Sequence, residues 1–280
     1  MPLPNLIVIG AAKCGTTSLR AYLDLHPEIA MATTRRSSEL DFFSHEDRWR
    51  RGARWYERRF RDAPVRGEVS PSYTHYPLYP AVPERMAGLV PDARLVYLVG
   101  DPIERVASLW HYATANHAET RSFEDALERR YELYVAASRY ATQLERFLPY
   151  FPEERILVVD QQDLRHDRAA ALREIFGFVG VDESFSSPRF EEDRNVTVET
   201  RRVTRLGRTT YRALHATIGY EVTRAVAGRV PGRIPVLERR GRGERPAVAG
   251  ELHERLVAEL APEAARLREL TGRRFAGWSV

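Results

Sequence analysis

The sequence predicts a three-layer α/β fold, a central parallel β-sheet with helices on both faces. Three observations point to it. The opening run Leu6-Ile7-Val8-Ile9 stops at Gly10, crosses a loop of small residues and resumes as an amphipathic segment with Leu19, Tyr22 and Leu23 on one face. Further strand signals follow at Val65–Val69 and, as buried apolar runs, at Leu95–Val99 and Ile156–Asp160, separated by stretches of helical periodicity, as expected when strands are covered on both sides. The 280 residues suffice for one large core, so residues 1–280 are read as a single domain.

The first strand and its loop carry the chemistry. In Gly10-Ala11-Ala12-Lys13-Cys14-Gly15-Thr16-Thr17-Ser18 backbone N–H groups converge at the positive end of a helix, and a lysine and several hydroxyls add donors. The expected ligand is a phosphate, which makes the fold P-loop-type. The nucleotide-hydrolase pattern, with lysine directly after the second glycine, is not met, because Lys13 precedes Gly15.

Composition narrows the classes. A formal charge of +4 from 43 basic and 39 acidic residues, the basic ones nearly all arginine, suits an anionic ligand better than a nucleic-acid track. One cysteine, Cys14, excludes an internal disulfide framework, and its place in the anion loop makes it a packing or loop residue, not a metal ligand. With no signal peptide and no apolar run of spanning length, no membrane is expected and the location is cytoplasmic. Oligomeric state is not readable.

The remaining elements follow in order. Pro27 ends the first helix ahead of a short strand at Ile29–Met31. Residues 47–62 are rich in arginine and aromatics; Trp55, Arg59 and Phe60 can share a helix with its apolar stripe on the core and the arginines solvated, or the stretch is an acceptor-recognition surface. A helix runs from about Tyr79 to Leu89. Asp101 caps a helix with Pro102 in its first turn. Residues 122–150 read as helices with Tyr131, Tyr134, Tyr140, Leu144, Phe147 and Leu148 on apolar faces, and His166 as a solvated loop residue. Ala169 to Val179 is helical, 189–208 and 229–250 are irregular, and Leu252 to Leu270 is a helix stopped by Gly272 with Trp278 beyond it as an aromatic anchor.

Gly-x-x-Lys-x-Gly-Thr-Thr-Ser at the first strand resembles the phosphosulfate loop of sulfotransferases that use 3′-phosphoadenosine 5′-phosphosulfate, in particular the heparan sulfate and bacterial carbohydrate enzymes. Three further stretches are similar: Glu39-Leu40-Asp41-Phe42-Phe43, Gly67-Glu68-Val69-Ser70-Pro71-Ser72-Tyr73, and Asp101-Pro102 with Arg105 and Ser108. The resemblance implies Lys13 and Glu39 as catalytic residues, Glu39 being the base. It also implies Lys13, Cys14, Gly15, Thr16, Thr17, Ser18 and Ser108 as donor-binding residues, a carbohydrate or small-molecule hydroxyl as acceptor, 3′-phosphoadenosine 5′-phosphate as product, and no metal. Three positions where the family carries cations hold Ser38, Val69 and Gly100 instead, and Arg201 or Arg202 is the expected replacement for the charge missing at Gly100. The alternatives are a member that uses another donor or only binds nucleotide, and a P-loop kinase.

Overall fold

A computed structural model describes residues 3–32, 39–115, 118–191 and 246–280, together with the backbone of 201–203 and 237–239. Five parallel strands, β1 (Leu6–Gly10), β2 (Ile29–Met31), β3 (Val65–Val69), β4 (Arg94–Val99) and β5 (Ile156–Asp160), lie in the order β2-β3-β1-β4-β5. All five residues of β1 are buried, which is why that run shows no polar alternation.

Crossovers to the β2 side and to the β4 side of β1 run in opposite directions, and their shared right-handedness puts their helices on opposite faces. On one face α1 (Thr16–Leu23) meets α10 (Arg168–Val179) through Arg168 over the ring of Tyr22, and His26 just beyond α1 lies 4.8 Å from Phe176 between ring centres. On the other, Tyr140 of α8 (Tyr140–Glu145) packs edge-on against Tyr97 of β4. Glu263 of α11 (Gly250–Thr271) is buried and accepts from the Thr142 N–H and hydroxyl at 2.9 and 2.8 Å, fixing α11 to α8. The helix α11 ends at Gly272 with φ +66°. Trp278 beyond it stacks on Phe275 and donates to Asp160.

The structure refines several sequence readings. Residues 47–62 form two short helices, α2 (Glu46–Trp49) and α3 (Ala53–Glu57), because Gly52 between them takes φ +73°. Arg51 and Arg59 of this region stack over Trp55 instead of being wholly solvated. The helix expected from Tyr79 is α4, Val82–Leu89. The 122–150 region divides into α6 (Phe123–Arg129), α7 (Tyr131–Tyr134), a 3-10 turn at Ala136–Ser138 and α8. His166 is the exposed last residue of α9 (Gln161–His166), not a loop residue. The stretches 189–208 and 229–250 lie largely outside the described residues, but within them β6 (Arg201–Val203) pairs antiparallel with β7 (Leu237–Arg239), an element the arginine-rich composition hid. No helix among the described residues is long and apolar enough to cross a membrane.

Gly10 is the tightest point of the frame. A Cβ there would lie 2.1 Å from Thr74 Oγ1, in the 3-10 turn Pro71–Thr74 that follows β3. Gly10→Val is expected to destabilise the fold by about 1–3 kcal/mol through overpacking, read as a lower urea midpoint with an unchanged slope.

Candidate functional site

In an open parallel sheet, ligands bind beyond the carboxyl ends of the strands where the strand order reverses. Here that crevice lies between β1 and β4, and the loop after β1 opens into it. The Ala11 N–H donates to Leu98 O at 2.5 Å and the Cys14 N–H to Ala11 O at 3.1 Å, folding the loop back over β4. To reach α1 in so few residues the chain puts both Lys13 (φ +75°) and Gly15 (φ +96°) in the left-handed region. Glycine tolerates that; a lysine held there is strain of the kind found at ligand sites.

The loop side chains divide by direction. Cys14 is buried with its sulfur 3.6 Å from Tyr140 Oη, and burial pushes its thiol up to about 11. With its N–H also engaged, Cys14 forms the floor of the loop. Thr16 is buried, Thr17 exposed, and the buried Ser18 Oγ has no hydrogen-bond partner. The first N–H groups of α1 have no intrahelical acceptor and remain for an anion. Lys13 Nζ lies 4.0 Å above the ring of Tyr112.

A cavity of about 120 Å³ adjoins the loop, lined by Lys13, Cys14, Asp101, Glu104, Arg105, Ser108, Gln161, Gln162, Arg165 and Gly277. Arg105 and Ser108 of α5 (Pro102–Ala115), with Tyr112 a turn further on, share a helix face. Asp101 is spent on structure, accepting from the N–H groups of Ile103, Glu104 and Ser279. Gln162 donates to Gly277 O, so the C-terminal tail walls one side. Lys13, Cys14 and Ser108 are thus brought together.

Glu39 is not among the lining residues. Its position follows from the segment it starts, which is tied to the carboxyl end of β3, the strand beside β1. Ser70 Oγ accepts from the Asp41 N–H at 2.9 Å, Tyr73 Oη accepts from the Phe42 N–H at 3.0 Å, and Arg48 donates to Leu40 O at 2.9 Å. Beneath the segment lies Glu68, fully buried and receiving hydrogen bonds from Tyr56, Tyr73 and Ser70. Phe42 stacks on Tyr56 at 4.2 Å. Glu39 therefore leaves from the same edge of the sheet as the Lys13 loop.

Of the other expected site residues, Ser38 lies outside the described residues. Arg201 and Arg202 are paired through their backbones with Arg239 and Glu238. Val69 is a buried β3 residue. Sequence reasoning missed Gln161, Arg165, Tyr112 and Glu68. The signal for the first two was their place just after a buried parallel strand; Tyr112 follows Ser108 at helical spacing. Nothing in the sequence marked Glu68 as the buried carboxyl under the Glu39 segment. Among the described residues no group of three His, Cys, Asp or Glu is arranged to hold a metal ion.

Residues 3–204 match a family model described as a sulfotransferase domain. The chain is 30% identical over 203 residues to the human bifunctional heparan sulfate N-deacetylase/N-sulfotransferase 3, covering 64% of this chain and 22% of that protein. It is 29% identical over 216 residues to the bovine N-deacetylase/N-sulfotransferase 2, covering 69% and 24%. The chain thus spans less than a quarter of the length of these relatives. Among solved structures, a sulfotransferase from Alicyclobacillus acidocaldarius aligns over 100% of both chains with a TM-score of 0.67 and 23% identity, a likeness of fold.

Burial raises the Glu68 carboxyl from 4.5 to about 7 against the three hydrogen bonds that favour its ionised form. A carboxyl raised in the folded state contributes stability that is complete below its unfolded value and lost as pH rises through the folded one. The unfolding midpoint is therefore expected to fall between about pH 4.5 and pH 7, and Glu68→Gln to flatten that part of the profile, as followed by denaturant titration at several pH values.

Proposed function

Because the chain belongs to the sulfotransferase family, we propose that it moves a sulfuryl group from 3′-phosphoadenosine 5′-phosphosulfate to a hydroxyl of a carbohydrate or small-molecule acceptor. The observation that carries the reading is Lys13. It is the only lysine in a chain with 43 basic residues, and it stands at a left-handed position in the turn that leads into α1. Where arginine serves everywhere else, a compact ammonium at this point fits a cation that must move with a small transferring group. The unpartnered hydroxyl of Ser18 and the cationic cavity suit an anionic donor.

When bound, the donor supplies an activated sulfuryl group on a phosphate leaving group. Lys13 and the N–H groups of Gly15, Thr16 and Thr17 stabilise charge on the phosphate oxygens, the hydroxyls of Thr16, Thr17 and Ser18 add donors, and Ser108 binds at the far side of the cavity. Glu39 accepts the proton of the acceptor hydroxyl. The family relatives named as N-sulfotransferases favour a second reading of the acceptor, an amino-sugar nitrogen. Parallel assays on N-acetylated and N-deacetylated polysaccharide separate the two.

Glu39→Gln is expected to lower kcat by about 10²–10⁴, the usual contribution of a positioned base, with unchanged affinity for 3′-phosphoadenosine 5′-phosphate in calorimetry; full activity with the true acceptor removes Glu39 from the role. Lys13 offers a direct test, being the only side-chain amine. An amine-reactive reagent should label it in the free protein, and 3′-phosphoadenosine 5′-phosphate should block the labelling. Labelling unaffected by saturating nucleotide overturns the loop assignment, and nucleotide binding without turnover favours the binding-only alternative.

A further inference from the structure

Glu68 is a buried carboxyl to which the sulfuryl-transfer reading gives no task. It is 0% exposed near the carboxyl end of β3, and the strands on either side, β1 and β2, are wholly apolar. Its Oε1 accepts from the hydroxyls of Tyr56 and Tyr73, the latter at 2.9 Å, and its Oε2 from Ser70 Oγ at 3.1 Å. With their protons drawn to the carboxyl, Ser70 and Tyr73 turn lone pairs to the segment after Glu39. Ser70 Oγ accepts from the Asp41 N–H at 2.9 Å, and Tyr73 Oη from the Phe42 and Phe43 N–H groups at 3.0 and 3.4 Å. Three successive N–H groups thus hang on two hydroxyls that one carboxyl orients. Asp41 takes φ +49°, an angle that persists in a residue with a side chain only where its surroundings hold it. Its carboxylate accepts from Ser72 Oγ at 2.7 Å, so the turn two residues beyond Glu39 is tied through both backbone and side chain.

The hydroxyl directions require the ionised carboxyl. A carboxylate accepts from all three hydroxyls, whereas a neutral carboxyl carries a proton of its own. On Oε2 that proton would meet the Ser70 hydroxyl proton, and Ser70, itself buried, would have to rotate and shift the lone pair that holds the Asp41 N–H. Burial opposes ionisation and lifts the group to about 7, against the hydrogen bonds from Tyr56, Tyr73 and Ser70. The titratable groups facing it are Tyr56 from α3 and Tyr73 from the turn after β3, both kept neutral by burial, and Asp41 from the Glu39 segment, whose charge also opposes ionisation.

We propose that Glu68, in its ionised form, is a positioning residue for Glu39: through Ser70 and Tyr73 it fixes the three N–H groups that follow the base and so aligns the base with the acceptor. The role rests on the reading of Glu39 given above. Stability and turnover then run in opposite directions with pH, because the carboxylate that orders the segment is the form the core disfavours.

Turnover of the polysaccharide acceptors from about pH 5.5 to 9, together with amide exchange at Asp41 and Phe42 in the same proteins, tests it. Wild-type kcat is expected to rise through about pH 7. Tyr56→Phe keeps a ring stacked on Phe42 but removes a donor that favours the carboxylate. It should move that limb to higher pH while the plateau stays within about two-fold. Glu68→Gln should lower the plateau about ten- to a hundred-fold, the scale of a small misplacement, abolish the limb near pH 7, leave KM for the donor within about two-fold and speed amide exchange at both positions. Tyr73→Phe should lower the plateau similarly. Wild-type kcat in Glu68→Gln, or a limb that Tyr56→Phe does not move, overturns the role; the second measurement decides even if Glu68→Gln fails to fold. Exchange needs no acceptor, and unchanged protection in Glu68→Gln overturns the role by itself. Faster exchange with unchanged kcat overturns the role and leaves the donor reading intact, whereas a wild type that neither binds 3′-phosphoadenosine 5′-phosphate nor transfers overturns the donor reading and the role with it.

Discussion

The turn between β1 and α1 is the constraint on which the rest of the site depends. A strand buried on both faces must end, reverse toward a helix and leave polar N–H groups open, all within Ala11–Gly15. That is met by two left-handed residues, a return hydrogen bond to β4 and a strand end small enough for Thr74 to press against. The strain at Lys13 is sustained because the floor beneath it is rigid: Cys14 faces Tyr140, which itself packs on Tyr97 and Trp278.

The neighbouring strand end solves a different problem with buried polarity. Glu68 sits under the Phe42–Phe43 segment with three side-chain donors around it. A buried carboxyl is tolerated only when its oxygens are satisfied, and two of its partners, Ser70 and Tyr73, also accept the N–H groups of Asp41 and Phe42. The network therefore fixes the backbone from which Glu39 departs. Aromatic stacking alone would give burial without register, since ring contacts are less directional than these hydrogen bonds.

Charge at the other side of the crevice is shared among β4, α5 and α9. Gly100, just after β4, leaves its side-chain space to a neighbour. Beside it, Gln161 fills the released volume and Arg165 stands on the same helix face.

The sequence alone determined the α/β class, the five strands of the parallel sheet, the loop that carries Lys13, and the relation of Asp101, Pro102 and Ser108, because these depend on local periodicity and short spacings. It also placed the stop of α11 at Gly272, where a left-handed cap leaves a signature in residue type. It did not separate the two short helices of 47–62, since a glycine with positive φ is not distinguishable beforehand from one inside a helix. Only the tertiary structure decided that Glu39 and Lys13 leave the same edge of the sheet, that Glu68 is buried beneath the segment that follows Glu39, and that Arg165 and Ser108 line one cavity. Those contacts join residues dozens of positions apart, and parallel strand order, which no local pattern encodes, is what brings them together.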